Sequence, residues 1–322
     1  MKGKNIQVAV VGGGVIGLTT GIRLLEWKFE VTLIARNFSP HTTSDVAGAV
    51  WLPYQVADAP RVRRWARTTF REYRKLQHIA DGGVSFTDLL ELFTEKKSDP
   101  WWKEAVDSFS HAGPDELPAG FRDAYRVRVP LIETPVYMKY LTERFRSSGG
   151  RLECRNLNAL SDIPDRFPLT VNCSGVWARY LAKDSRVFPI RGEVLRIRRP
   201  PNLPDTVLIH KSGEKIVYIV PRSQDCILGG VAQENNWSLD PDPRAPRQIL
   251  ERCRRVAPAI GSPMVLEHKV GLRPGRERIR LEREAMPPDR CVIHNYGHAG
   301  SGFTLCWGCA DEVIDLATEF FS

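Results

Sequence analysis

The sequence predicts an α/β fold, in which a nucleotide-binding layer of parallel strands and helices is interleaved with a mostly antiparallel sheet. Three observations predict it. The chain opens on a strand, a glycine turn, a helix and a second strand; residues 190–240 break into short β-rich runs; a second strand–glycine–helix unit closes the chain. At 322 residues, 42% hydrophobic and 26% charged, there is enough chain for two domains that each bury a core.

QVAVV, residues 7–11, is a short β-branched run, followed by GGGVIG, by LTTGIRLLEW with apolar residues at helical spacing, and by the strand EVTLIA. That order implies a parallel pair joined by a crossover helix. In RVRRWARTTFREYRKLQ, Val62, Trp65, Ala66, Phe70 and Tyr73 share one helical face. PVYMKYLTERFRSSGG repeats the pattern with Val136, Tyr137, Leu141 and Phe145, starting near Pro135 and stopping at Gly149 and Gly150. GEVLRIRR, TVLIH, KIVYIVP and CILGGV, broken by Gly, Pro and charged turns, read as an antiparallel sheet. CVIHNYG supplies a last strand, and a helix follows from about Thr304.

The net charge of +8 is spread over 46 basic and 38 acidic residues. The basic runs at 61–67 and 251–255 fall in helical patterns as solvated faces, so nucleic acid is not an expected partner. No window nears the roughly 20 apolar residues of a membrane span. MKGKNIQ leads into a strand rather than a signal peptide, EFFS carries no peroxisomal tripeptide, and seven scattered cysteines fit a reducing compartment. A soluble, cytoplasmic protein is expected.

Gly12, Gly14 and Gly17 form G-x-G-x-x-G directly after a strand and at the opening of a helix, the context that motif requires. Gly12 permits the tight turn, Gly14 lets the backbone approach a pyrophosphate, and Gly17 lets the helix pack on the strand. The helix N-terminus offers free N–H groups to the phosphates. FAD, NAD and NADP all satisfy such a site. Arg36 stands where a carboxylate would bind ribose hydroxyls; it suits the 2′-phosphate of NADP, or the adenine and phosphate of FAD.

In HTTSDVAGAVWLPY, residues 41–54, Thr42, Thr43 and Ser44 can donate to phosphate oxygens, and Gly48 and Ala49 leave room for a flat ring against the backbone. In VIHNYGHAGSGFTLCWGCA, residues 292–310, a strand runs into Gly297, Gly300 and Gly302 before a helix, making a second glycine-lined helix N-terminus. Two such termini suit a long cofactor with a second polar end, as a flavin has. A nicotinamide coenzyme needs one.

These blocks resemble the D-amino-acid oxidase family. The C-terminal segment is similar to its signature at Ile293, His294, Asn295, Tyr296, Gly297, Gly300, Gly302, Gly308 and Ala310. The likeness continues in GGGVIGL, TTSDVAGAVW, NCSGVWA, YIVP and GLRPGRERIRLERE, in the family's order across nearly the whole chain. The resemblance implies a Rossmann-like, glutathione-reductase-like FAD-binding domain from residues 1–52, 135–180 and 271–322, and a substrate-binding domain from 53–134 and 181–270. It implies noncovalent FAD held by Gly12, Gly13, Gly14, Val15, Ile16, Gly17, Arg36, Asn37, Thr42, Thr43, Ser44, Gly48, Ala49, Val50, Leu157, Ser174, Gly175, Trp177, Arg273, Ala299, Gly300, Ser301, Gly302, Phe303 and Thr304. The implied reaction passes a hydride from the Cα of a D-amino acid to flavin N5, reduces O2 to H2O2, and leaves an imino acid that hydrolyses to a 2-oxo acid and ammonia. A homodimer is compatible with it.

By the same resemblance Arg273 clamps the substrate carboxylate, the Tyr218 hydroxyl joins it, and the Gly300 carbonyl receives the amine. A planar guanidinium fork suits a carboxylate better than a lysine does. Fixing both polar groups leaves one way to point the Cα hydrogen at the flavin. Val50, Leu52, Leu208, His210 and Val220 are expected to line a mostly apolar pocket for neutral side chains, with His210 a pocket residue and not a base. Relatives that oxidise D-aspartate place an arginine after the LGG glycines; here Ala232 stands there, and Arg222 or Lys211 are the available substitutes. The link from His210 to Tyr218 is only KSGEKIV, shorter than the mammalian lid and without its second tyrosine, so an open site is expected. D-aspartate oxidase and glycine- or sarcosine-type amine oxidase are the alternatives. Cys306 and Cys309 form C-x-x-C without a thioredoxin-like strand order, and His294 and His298 straddle a glycine, so neither a redox pair nor a metal site is expected.

Overall fold

A computed structural model describes residues 6–287 and 289–322. Residues 1–5, read from sequence as a lead-in to the first strand, lie outside the described residues. The chain begins with β1 (Gln7–Val11), α1 (Val15–Glu26), β2 (Glu30–Ala35) and the short α2 (Thr43–Val46). Val8 stands opposite Val31 and Val10 opposite Leu33 in a parallel pair, all four buried, as a sheet covered on both faces requires. Next come α3 (Pro60–Leu76), β3 (Val84–Phe93), β4 (Phe109–His111), β5 (Asp123–Ile132), α4 (Thr134–Ser147), β6 (Arg151–Cys154), β7 (Leu169–Asn172) and α5 (Ala178–Leu181). The apolar face predicted for α3 is buried at all five positions. In α4 the buried face is Tyr137, Met138, Leu141 and Phe145; Val136 is 36% exposed, because it lies one step round the helix from that stripe.

The chain continues through β8 (Phe188–Arg198), β9 (Val207–Ser212), β10 (Lys215–Pro221), β11 (Asp225–Val231), β12 (Gln233–Glu234), α6 (Ala245–Val256), β13 (Val265–Gly275), β14 (Arg280–Met286), β15 (Arg290–Tyr296) and α7 (Gly302–Phe320). One sheet has six strands in the order β14-β15-β7-β1-β2-β6, parallel apart from the β14–β15 hairpin. It draws on the beginning, middle and end of the chain. The other has nine strands, β12-β8-β11-β10-β9-β3-β5-β4 with β13 on β8, antiparallel apart from β3–β9. The four runs read between 190 and 240 are its β8 to β11. It also takes β3, β4 and β5, which the sequence pattern did not reveal. The expected domain boundary at residue 271 falls inside β13, whose Arg273 stands opposite Ile190 of β8.

α1 packs on α7, and α7 on α3. Leu18, Ile22, Tyr73 and Trp307 are fully buried in that layer. Each such side chain contributes roughly 1.5–3 kcal/mol by leaving water. No helix among the described residues is long and apolar enough to cross a membrane.

Candidate active site

β1 ends at Val11 and the chain turns into α1 through Gly12, whose φ of +121° favours glycine. A Cβ on Gly12 would lie 2.3 Å from the Cys173 carbonyl oxygen, and one on Gly17 1.8 Å from the Gly12 carbonyl oxygen. Turn, helix and the end of β7 are therefore in backbone contact. At Gly14 the nearest atom to such a Cβ is the Ser44 hydroxyl at 3.1 Å. That hydroxyl oxygen also accepts the Val15 N–H at 3.0 Å.

A cavity of about 1070 Å³ is lined from both sheets. The first sheet and its loops contribute Gly12, Gly13, Gly14, Val15, Ile16, Arg36, Asn37, Thr42, Thr43, Ser44, Leu157, Ser174, Gly175, Trp177, Ala299, Gly300, Gly302 and Phe303. Gly48, Ala49, Val50 and Leu52 join Val220, Tyr218 and Arg273 of the second sheet. Five expected residues do not line it.

Gly17 is spent on helix–strand packing. Ser301 and Thr304 tie the start of α7 to the segment 52–54: Ser301 Oγ accepts the Tyr54 N–H at 2.7 Å and donates to its carbonyl at 2.9 Å. Thr304 Oγ1 does the same for Leu52 at 3.2 and 2.9 Å. Leu208 and His210 fail for a reason of register. β9 pairs with β10 so that Ile209 stands opposite Tyr218 and Lys211 opposite Ile216. Alternate side chains take opposite faces, so Ile209 and Lys211 share the cavity face with Tyr218, and Leu208 and His210 point behind it. There Leu208 joins an apolar cluster beneath α6, and the His210 ring stands edge-on to Phe121 with Nδ1 2.9 Å from the Leu92 carbonyl oxygen.

Tyr218 on β10, Arg273 on β13 and Gly300 after β15 all line the cavity. Two glycines make the room. A Cβ at Gly229, opposite Tyr218 on β11, would fall 2.0 Å from the phenol Cζ, and one at Gly192 on β8 would fall 2.3 Å from Arg273 Nη1. Nη1 donates to the Val231 carbonyl at 3.2 Å, and the guanidinium also interacts with the Tyr218 hydroxyl. Two other arginines of the motif are occupied, Arg276 by Asp184 and Arg280 by Glu282 and Glu284, and Arg273 is the motif arginine that lines the cavity. Burial pushes the Tyr218 phenol above its usual pKa, and the Arg273 charge draws part of that back. Tyr218 therefore remains a proton donor through the neutral range.

Tyr54, Ile209 and Ile216 are lining residues that the sequence did not assign to the pocket wall, and Lys211, named there only as a substitute for an arginine beside the substrate, lines it too. The Tyr54 ring fills the space beside Gly300, where a Cβ would meet its Cδ1 at 2.2 Å, and the Arg273 guanidinium carbon is 6.0 Å from its centre. The short β9–β10 hairpin thus does not leave the site bare. The two-residue spacing from Tyr218 on β10 was a legible signal for Ile216, whereas Ile209 is placed only by the pairing of β9 with β10. Tyr54 left no signal beyond its place in the loop 41–54.

The cavity wall also carries polar atoms without partners. His298 Nε2 and Asn295 Oδ1 are buried and accept or donate no hydrogen bond among the described residues. Burial alone pushes the His298 imidazole down to about 3, so it is neutral. An unsatisfied buried polar group costs about 1–3 kcal/mol, which argues for a polar ligand against this wall. A glycine turn at a helix N-terminus, hydroxyls at 42–44 and these orphaned atoms fit a long dinucleotide such as FAD. Cys306 and Cys309 are fully buried in α7; burial pushes the Cys306 thiol up to about 12 and Cys309 well above its usual value, so both serve as packing thiols. No group of three potential metal ligands occurs among the described residues.

Comparison with known proteins agrees with this geometry. Residues 7–316 match the model of a family described as FAD dependent oxidoreductase. The chain is 45% identical over 319 residues to a D-amino-acid oxidase of Rubrobacter xylanophilus, covering 98% of each. It is 33% identical over 329 residues to the D-aspartate oxidase of Homo sapiens, covering 97% of this chain and 95% of that one. Among solved structures, glycine oxidase from Geobacillus kaustophilus superposes with a TM-score of 0.78 at 21% identity, over 98% of this chain and 95% of that one, a likeness of fold. By sequence along nearly its whole length, and with a cavity whose wall suits the cofactor, the chain belongs to the D-amino-acid oxidase family of FAD-dependent oxidoreductases.

Proposed function

We propose that the chain oxidises D-amino acids with neutral side chains, at a site where Arg273 and Tyr218 hold the α-carboxylate and the Gly300 carbonyl accepts the amine. One observation carries this reading: among the arginines of its motif, Arg273 faces the cavity with its fork unpaired by any carboxylate of the described residues. A guanidinium so placed grips a planar anion by two parallel, charge-assisted hydrogen bonds. Tyr218, kept protonated by burial, donates a third. With carboxylate and amine fixed at separate points, the Cα hydrogen of one enantiomer has a single direction to face.

The FAD would lie along Gly12–Gly14 and Thr42–Ser44 at its phosphates, with Arg36 and Asn37 toward the adenosine and Gly48–Val50, Ala299 and Gly302 beside the ring. When bound there it supplies the two-electron acceptor chemistry, with O2 as the final oxidant and H2O2 as product. The imino acid then hydrolyses to a 2-oxo acid and ammonia. The residues themselves bind, orient and exclude water; no side-chain base at Cα is required when the amine reacts neutral.

Preference for neutral side chains is supported by what surrounds the pocket. Ala232 is buried in an apolar cluster with Ile190, Ile216 and Ala299. Arg222 is engaged by Asp225 at 2.6 and 2.9 Å and is buried there. The test is the visible spectrum of the purified protein under anaerobic conditions. Flavin bands that bleach on adding D-alanine and not L-alanine are expected; reduction far faster by glycine or sarcosine than by any D-amino acid would overturn the reading.

A further inference from the structure

We propose that Glu91 is a specificity-determining residue: it cancels the charge of Lys211 at the cavity wall and so keeps acidic side chains out of the pocket. The inference rests on the cavity being the D-amino-acid site proposed above. Lys211 lines the cavity on the Tyr218 face of β9, its ammonium 4.9 Å from the centre of the Tyr54 ring. The Arg273 guanidinium carbon is 6.0 Å from the same ring centre. Two cations therefore flank one ring, and a ligand carrying two acid groups could bridge them.

Glu91 prevents this. It lies on β3, opposite Ile209 in the parallel pairing, with a side chain only 10% exposed, and its Oε1 accepts Lys211 Nζ at 2.7 Å. The pair is neutral, so a neutral substrate side chain meets no uncompensated charge beside it. An acidic side chain has two unfavourable choices. It either takes Lys211 away and leaves a buried carboxylate unpaired, or it brings a second negative charge up to Glu91. Lys211 keeps a third of its side chain in solvent, which makes it the movable member and Glu91 the fixed one.

Glu91→Gln removes the charge and keeps the shape. Two ratios read the effect on FAD-loaded protein: kcat/KM for D-glutamate over D-methionine, and the affinity for glutarate over butyrate by titration calorimetry. Both should move toward the diacid by about tenfold in Glu91→Gln, and the gain should vanish in Glu91→Gln/Lys211→Met. Lys211→Met alone, which bares Glu91, should move both ratios away from the diacid by a similar factor. Ratios within roughly twofold of the wild type in both single variants, or a gain that survives loss of Lys211, would overturn the proposal. If no D-amino acid reduces the flavin of the wild type, the substrate assignment fails, and the glutarate-to-butyrate ratio still decides the charge balance.

Discussion

Replacing Arg273 by methionine should cost two to four powers of ten in kcat/KM for D-alanine. A guanidinium has five N–H donors, and protein engages Arg273 at the Val231 carbonyl and the Tyr218 hydroxyl but with no carboxylate of the described residues, so much of the fork is available to a ligand. Two hydrogen bonds to a carboxylate at about 1.5–3 kcal/mol each give about 3–6 kcal/mol, which brackets the roughly 3–5 kcal/mol that stranding one member of a buried ion pair usually costs. At 1.36 kcal/mol per decade that becomes the stated loss. Arg273→Lys keeps the charge and loses the planar fork, so it should fall between methionine and wild type. Gly192→Ala supplies an independent route, since its Cβ would sit 2.3 Å from Nη1 and must displace the guanidinium without touching its charge. The assay is anaerobic flavin reduction with D-alanine alongside peroxide formation, with flavin content as the control for folding. An Arg273→Met protein that binds FAD normally and keeps kcat/KM within tenfold of wild type would show that Arg273 does not hold the substrate carboxylate.

Two further predictions separate the pocket from its surroundings. Ile209→Ala should shift the preference among branched and linear D-amino acids, whereas Leu208→Ala and His210→Ala should leave that ranking intact and lower stability instead; the opposite pattern in a substrate panel would mean that β9 is read out of register. Asp184 concerns acid stability: burial raises its pKa, but hydrogen bonds from Tyr296, Arg186 and Arg276 outweigh this and bring it down to about 2 from 3.8. A depressed carboxyl stabilises the fold fully above the unfolded value and loses that contribution as pH falls from about 4 toward 2, here about 2 kcal/mol. Urea midpoints measured across that window should fall less steeply in Asp184→Asn, and an unchanged slope would exclude the assignment.

The nucleotide-binding half was legible because its signals are local: a glycine turn between a β-branched run and a helix depends on residues within a few positions of one another. The pocket half was not. LIHK offers two alternations, 208/210 and 209/211, and only the pairing of β9 with β10 decides which faces inward. β3 was hidden because DLLELF, buried on both faces over much of its length, lacks the period of two that marks a half-exposed strand. Ser301 and Thr304 stand among cavity residues in sequence, yet their hydroxyls are consumed by the backbone of residues 52 and 54, a contact across some 250 positions that spacing cannot reveal. Val136 shows the limit of a helical face judged by apolarity alone, since Met138 fits the stripe as well and took the buried place.

The strand order of the six-stranded sheet has a consequence for synthesis. β15 inserts between β14 and β7, with Cys291 beside Leu169, so the edge of β7 stays open until β15 has been synthesised. While the intervening stretch of about 120 residues is made, a nascent chain therefore displays an unpaired, apolar strand edge, the kind of template on which neighbouring chains associate. Recombinant yield should then depend on chaperone supply and slow induction more than on the stability of the finished protein.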